Sequence, residues 1–186
     1  MRKNVKAVFL ASVFYLLLTT SPSFSAAIDP NIPKKLTAHT ADDLQPAISP
    51  DGKSVAFVSN RSGNNDIWLI PIDRGPAKQL TTHTASDTDP AWSRDGKRIT
   101  FTSLREDSKG DIWVLEFESG KETRITGPRA AESYPSWFPD GKRIAFSRGE
   151  EVWSIDLQNG KEERLFLGLY PSVSPDGKYI AVIVVG

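Results

Sequence analysis

Ser49-Pro50-Asp51-Gly52-Lys53 is a five-residue motif that the chain repeats three more times with small changes. It returns as Ser93-Arg94-Asp95-Gly96-Lys97, as Phe138-Pro139-Asp140-Gly141-Lys142 and as Ser174-Pro175-Asp176-Gly177-Lys178. The four aspartates are 44, 45 and 36 residues apart. A period of about 40 to 45 residues indicates a supersecondary unit that must stack on copies of itself to bury its apolar face.

The repeated motif is typical of a tight hairpin turn. Proline presets φ at the second turn position, aspartate suits the third, and glycine adopts the left-handed conformation that closes the loop. The flanks alternate as strands do: Ile99 and Phe101, two residues apart, share one face of a strand. A third strand at 66–70, 111–115 and 151–155 and a fourth at 78–81, 123–126 and 163–166 complete each repeat. Four short antiparallel strands per repeat predict the blades of an all-β propeller.

The repeats lie near 34–80, 81–126, 127–166 and 167–186, and the last repeat is partial. Residues 35–41 match 79–85, so the chain begins with a fourth strand that has no blade of its own. We therefore expect an incomplete propeller of about three whole blades with partial strands at both ends. Either the chain is a piece of a longer propeller or another copy completes the ring. The apolar stretch 180–185 would be an unpaired edge strand, which predicts self-association.

The N-terminus has the order of a secretory signal peptide. Arg2, Lys3 and Lys6 precede an apolar run at 7–18 and a small, polar segment at 19–27. We predict a signal peptide at 1–25, a short linker at 26–33 and the propeller segment at 34–186. Removal of the signal takes away three positive charges and leaves a mature net charge of −3. Periplasmic or secreted localisation in a bacterium follows from this reading.

Composition excludes several classes of protein. The formal net charge of the 186 residues is zero, so no basic excess indicates nucleic acid as a partner. The chain has no cysteine, which excludes thiolate metal sites, a cysteine nucleophile and lipid attachment through cysteine. No second apolar run is long enough to span a bilayer, so no stable membrane span is expected after signal cleavage.

The stretch 90–101, Pro-Ala-Trp-Ser-Arg-Asp-Gly-Lys-Arg-Ile-Thr-Phe, is followed by Asp-Ile-Trp at 111–113. Blades with these motifs resemble the WD40-like PD40 repeats of the TolB-type β-propeller family. The resemblance covers residues 34–182 and implies a periplasmic, non-enzymatic protein that binds envelope proteins or peptides. Complete TolB has an α/β domain before its propeller, whereas about ten residues precede the first repeat element here, so the chain resembles the propeller alone.

Similar repeats also form the propellers of prolyl-oligopeptidase-type serine peptidases and of oligogalacturonate lyases. The alternative function is therefore the accessory propeller of a secreted hydrolase, or a carbohydrate-active propeller, whose catalytic part is absent. The chain itself shows no Ser-His-Asp arrangement and no Gly-x-Ser-x-Gly elbow, which favours a protein that is not an enzyme. A fold shared by several activities does not by itself decide between them.

Most chemically suggestive residues occupy repeated positions, which favours structural roles. His39 and His83 stand in equivalent Thr-x-His-Thr-Ala segments, and the four motif aspartates belong to turns. The polar segment 60–66 could hold Ca²⁺ weakly, but it lacks EF-hand spacing, so we expect a plain loop and no cofactor.

Five tryptophans fall at two repeat positions. Trp68, Trp113 and Trp153 are expected as wedges between neighbouring sheets, with a sugar-stacking platform as the alternative. Trp92 and Trp137 lie on the innermost strands and are the better ligand candidates.

The loops before the inner strands, 40–45, 85–89 and 129–134, should crowd one mouth of the central channel. Their acidic character favours basic peptides or a cation. We therefore predict an exported, non-enzymatic scaffold that binds envelope proteins or peptides at this mouth. The candidate binding residues are Asp42, Asp43, Asp87, Asp89, Trp92, Glu132, Tyr134 and Trp137.

Overall fold

The computed structural model describes residues 35–73, 75–106, 108–127 and 130–184. The regular elements among them are fourteen β-strands, which form three four-stranded sheets and one two-stranded sheet. The predicted signal peptide at 1–25 and the linker at 26–33 lie outside the described residues. In the described part of the chain, no helix has the length and apolarity needed to span a bilayer.

Each four-stranded sheet is antiparallel and its strands are neighbours in chain order. The first sheet contains β1 (Asp43–Ile48), β2 (Ser54–Ser59), β3 (Asp66–Pro71) and β4 (Lys78–Gln79). The second contains β5 (Asp87–Trp92), β6 (Arg98–Ser103), β7 (Asp111–Glu116) and β8 (Glu122–Arg124). The third contains β9 (Glu132–Trp137), β10 (Arg143–Arg148), β11 (Glu151–Asp156) and β12 (Glu162–Leu167). The last sheet pairs β13 (Leu169–Val173) with β14 (Ile180–Ile183).

These sheets confirm the predicted incomplete propeller of three whole blades and a partial one at the C-terminal end. The predicted N-terminal fourth strand at 35–41 is not formed, because these residues have no regular structure before β1. The fourth strands differ in length from the prediction: β4 has two residues and β12 has six. Strand β14 is the outer strand of the last sheet among the described residues, and Ile183 is exposed there. Self-association through this edge stays a prediction.

The repeated motif forms the turn between the first and second strands of each sheet. In the first turn Asp51 Oδ1 accepts hydrogen bonds from Ser49 Oγ at 2.6 Å and from Lys53 N at 3.0 Å. Gly52 has a φ of 70°, the left-handed conformation that the turn requires. In all four turns the backbone N–H of the motif lysine donates to Oδ1 of the aspartate two residues before it. The motif aspartates therefore serve the turns.

Neighbouring sheets pack face to face through their first strands. Strand β5 contacts β1, β2 and β3 of the preceding sheet, and β9 and β13 repeat this arrangement. Phe101 and Ile99 are fully buried between the first and second sheets, and Phe146 and Ile144 are fully buried between the second and third. The first strands also contact one another, which makes them the inner strands around a central axis.

In each of the three four-stranded sheets, a buried ion pair joins the first residue of the inner strand to an arginine at or just beyond the end of the second strand. The distances are 2.7 Å from Asp43 Oδ1 to Arg61 Nη2, 2.7 Å from Asp87 Oδ2 to Arg105 Nη2 and 2.5 Å from Glu132 Oε1 to Arg148 Nη2.

Each of these guanidinium groups also lies over the tryptophan of the third strand. The carbon-to-ring distances are 4.8 Å for Arg61 on Trp68, 4.4 Å for Arg105 on Trp113 and 4.7 Å for Arg148 on Trp153. Arg105 and Arg148 are also paired with fourth-strand glutamates, Glu122 and Glu162. We call each acid, arginine and tryptophan set a clamp, because it links the first three strands of one blade.

Burial decides the pKa values of the clamp acids in the second and third blades. It raises the pKa of Asp87 and of Glu132 even though each faces an arginine. Asp43 is less buried; burial alone would raise its pKa, but hydrogen bonds from Ser59 and Arg61 outweigh that effect and lower it. Desolvation of the acids is therefore part of closing the blades.

We expect Asp87→Ala to lower the free energy of unfolding by about 3 kcal/mol, because removing one partner of a buried pair leaves the other charge uncompensated. Urea denaturation followed by tryptophan fluorescence measures the change. Asp42→Ala truncates the same side chain at an exposed site and should change stability by less than about 0.5 kcal/mol. Equal effects of the two substitutions would contradict the clamp.

Candidate functional site

In each of the four sheets, the residue directly before the repeated proline has a left-handed backbone. The φ values are 49° at Gln45, 54° at Asp89, 53° at Tyr134 and 55° at Tyr170. In each sheet the pairing between the first and second strands shifts register at this place, as a β-bulge does. A positive φ is unfavourable for a residue with a side chain, and bulges commonly re-aim side chains at functional sites. We call these four residues the pre-proline row.

Gln45 and Asp89 join the first two members of the row by a reciprocal pair of hydrogen bonds. Gln45 Nε2 donates to Asp89 Oδ1 at 2.5 Å, and Asp89 N donates to Gln45 Oε1 at 3.0 Å. Thr102 Oγ1 donates to the second carboxylate oxygen of Asp89 at 2.8 Å. The Asp89 carboxylate is thus fixed at the centre of a polar network that spans two blades.

Tyr134 and Tyr170 form the other half of the row. Their ring centroids lie 4.1 Å apart and the ring planes are tilted by 58°. Burial, the Tyr170 hydroxyl and the Asp89 charge together raise the pKa of Tyr134 to about 12. The Tyr134 phenol therefore stays protonated at neutral pH and can donate a hydrogen bond to a ligand.

The pre-proline row and three of the prolines that follow it line a cavity of about 230 Å³. The cavity lies where the inner strands converge, so it is the mouth of the central channel. Its wall combines two tyrosine rings, one carboxylate, one carboxamide and proline rings. Such a wall offers apolar stacking together with a few fixed polar groups, the usual chemistry of a recognition site. The prolines are Pro90, Pro135 and Pro171.

The structure divides the predicted acidic mouth into two groups. Asp89 and Tyr134 belong to the pre-proline row and line the cavity. Asp43, Asp87 and Glu132 precede the row by two positions, and their carboxylates are taken up by the clamps. Exposed Asp42 is bonded to the side chain of Asn60. The acidic character of the loops is thus largely compensated by arginine.

Trp92 and Trp137, also predicted for the mouth, lie at the opposite end of the inner strands, between the sheets. Trp92 stacks on Phe117 at 5.2 Å and donates its indole N–H to Ala47 O at 2.9 Å. Trp137 is buried, with the Arg98 guanidinium 4.5 Å above its ring. These two side chains point toward the neighbouring blade because of the pleat of the inner strand.

Gln45 and Tyr170 line the mouth but were not among the predicted binding residues. Their signal in the sequence is the proline that follows each of them, in register with Pro90 and Pro135. Reading the residue before every repeated proline as one set finds the whole row. Strand periodicity alone could not, because the bulge changes which side chains point inward.

The two histidines have the same local role in successive repeats. His39 Nδ1 accepts a hydrogen bond from Ala41 N at 3.0 Å, and His83 Nδ1 accepts one from Ala85 N at 3.1 Å. In the segment 60–66, the Asn64 amide donates to the carbonyls of His83 and Ala85, which ties two loops together. Among the described residues, no three His, Asp or Glu side chains are grouped as metal ligands.

The left-handed backbone at Gln45 predicts a reversal of the usual order of glycine and alanine. We expect Gln45→Gly to be more stable than Gln45→Ala by about 1 kcal/mol, because glycine relieves the positive φ. Thr123 is an exposed strand residue without positive φ, so Thr123→Gly should be less stable than Thr123→Ala by about 0.5 to 1 kcal/mol. Thermal and urea unfolding of the four variants compares the two sites. The same order at both positions would remove the strain argument.

Comparison with solved structures shows which proteins resemble this chain in overall fold. TolB from Acinetobacter baumannii is 26% identical with a TM-score of 0.75, over 85% of this chain and 41% of that one. A putative TolB from Agrobacterium tumefaciens is 26% identical with a TM-score of 0.62, over 84% of this chain and 61% of that one. The chain thus spans less than two thirds of either protein.

An oligogalacturonate lyase from Vibrio parahaemolyticus shares 15% identity and a TM-score of 0.57, over 75% of this chain and 46% of that one, a likeness of fold alone. No functionally curated protein sequence matches the chain. Residues 28–181 match the sequence family described as the TolB beta propeller domain. The chain therefore belongs to the TolB β-propeller domain family.

Proposed function

We propose that this chain is an exported, non-enzymatic scaffold that binds a protein or peptide partner in the bacterial envelope through its channel mouth. The observation that carries the proposal is the pre-proline row, with four left-handed residues in register around one opening. Backbone strain of this kind persists where the surrounding structure enforces it, and it concentrates at binding sites. Family membership and the signal-like sequence at 1–25 support the envelope location.

The chemistry of the mouth suits an extended peptide segment. The tyrosine rings and prolines offer apolar contact to peptide side chains, and tyrosine is enriched at protein interfaces. The Tyr134 hydroxyl can donate to a peptide carbonyl, and the Asp89 carboxylate can accept from a peptide N–H or attract a basic side chain. Together these groups favour a neutral or basic segment over an acidic one.

The double substitution Asp89→Ala, Tyr134→Ala is expected to weaken partner binding at least about tenfold while the blades stay folded. It removes the central carboxylate and one stacking ring but leaves all three clamps intact. The unmodified protein and the double variant are affinity-tagged, exported and used to capture partners from envelope extracts. Any partner identified by mass spectrometry is then titrated as a purified protein, and we expect at least a tenfold loss of affinity.

The matched control is Asp73→Ala, Tyr179→Ala, which truncates the same residue types at exposed positions outside the mouth. The control should bind as the unmodified protein does. Circular dichroism and thermal unfolding establish that all variants are folded. Equal capture by the mouth variant and the control would refute the channel mouth as the binding site.

A further inference from the structure

A second cavity, of about 490 Å³, lies between the first and second blades near the repeated turns. Its wall includes Ser54, Trp92 and Gly96, together with the carboxylates of Asp51 and Asp95. The turns connect the far ends of the inner strands, so this cavity and the channel mouth lie at opposite ends of those strands. Nothing in the proposed function uses it.

The next blade interface shows what occupies the equivalent space. There Arg98 takes the place of Ser54, Trp137 the place of Trp92 and Gly141 the place of Gly96, each one repeat further along the chain. The Arg98 guanidinium lies 4.5 Å over the Trp137 ring, and its Nη2 donates to Gly141 O at 2.8 Å.

The interface between blades one and two has the tryptophan and the glycine that would contact a guanidinium, but it lacks the arginine. Ser54 is too short to cover the ring, and Trp92 is half-buried where Trp137 is buried. The Trp92 ring is held in place by Phe117 on one face and by its hydrogen bond to Ala47 O. The aromatic platform is thus preformed, and its partner cation is absent from the sequence at this interface.

The charges at the cavity favour a cation. Hydrogen bonds from Ser49 and the Lys53 amide lower the pKa of Asp51. For Asp95, burial alone would raise the pKa, but bonds from Ser93 and the Lys97 amide lower it. Both carboxylates are therefore ionised at neutral pH, and Asp95 Oδ2 already lies 3.9 Å from Arg98 Nη2. The one cation in the wall, Arg94, donates to Pro175 O at 3.0 Å across the axis.

We propose that this cavity binds an arginine side chain of a partner peptide, which takes the place that Arg98 fills at the next interface. A planar guanidinium can stack on Trp92 and still donate in its own plane to the Gly96 carbonyl and the Asp51 carboxylate, the equivalents of Trp137, Gly141 O and Asp95 around Arg98. A lysine ammonium lacks the planar stack and binds less well. The cavity would thus select arginine through the same contacts that the protein makes with its own Arg98.

The test uses three capped tripeptides, Gly-Arg-Gly, Gly-Lys-Gly and Gly-citrulline-Gly, titrated into the protein by calorimetry. Citrulline has the shape of arginine without its charge. We expect the arginine peptide to bind at least about tenfold more tightly than the citrulline peptide, with lysine between them. The Trp92 indole N–H resonance, assigned with Trp92→Phe, should shift with the arginine peptide.

Ser54→Arg supplies the missing side chain within the chain and should weaken binding of the arginine peptide at least about tenfold by filling the cavity. Ser119→Arg adds the same charge at an exposed hairpin and is the matched control. Trp92→Leu removes the platform and should have the effect of Ser54→Arg. Equal binding of arginine and citrulline peptides, no binding of the arginine peptide, or full binding by Ser54→Arg would each overturn the proposal. None of these results bears on the channel mouth.

Discussion

In the three complete blades, the buried pairing of an acid at the start of the inner strand with an arginine at or just beyond the end of the second strand is the constraint on which the rest of the structure depends. Asp87 and Glu132 lose their hydration when the blades close, and each is compensated by one guanidinium. That guanidinium also covers the third-strand tryptophan, so one side chain ties three strands together. The inner strand is thereby fixed at its first residue, before it reaches the channel.

The residue with the strained, left-handed backbone lies two positions after the clamp acid on the inner strand. The clamp acid stands on one side of the left-handed residue and a proline stands on the other, as in Asp87, Asp89 and Pro90. Proline disfavours the helical region for the residue before it. Tyr170 has the same left-handed backbone in the last sheet, whose inner strand begins at Leu169 and has no clamp acid. The bulge and the proline are thus common to all four strained positions, and the clamp is an additional constraint in the three complete blades.

The fold could be predicted from the sequence because it is encoded four times. Turn chemistry at Pro50-Asp51-Gly52 and the alternation at Ile99 and Phe101 are local signals, and repetition makes each of them unambiguous. The site was predicted only in part. Sequence spacing placed Asp87 and Asp89 in one acidic loop, but whether a carboxylate meets an arginine depends on Arg105, which lies eighteen residues later, just beyond the end of β6.

Differences between repeats separate the residues of the fold from those of the site. The clamp positions hardly vary: the acids are Asp, Asp and Glu, and the other members are always Arg and Trp. The pre-proline row holds Gln, Asp, Tyr and Tyr on the same strained backbone. Uniform positions serve contacts that every blade must make, whereas a position with uniform backbone and varied side chains is free to serve a ligand. Ser54 fits the same rule, since it stands where the next repeat has Arg98. The cavity beside Ser54 is still lined by Trp92 and Gly96, the equivalents of the residues that contact Arg98.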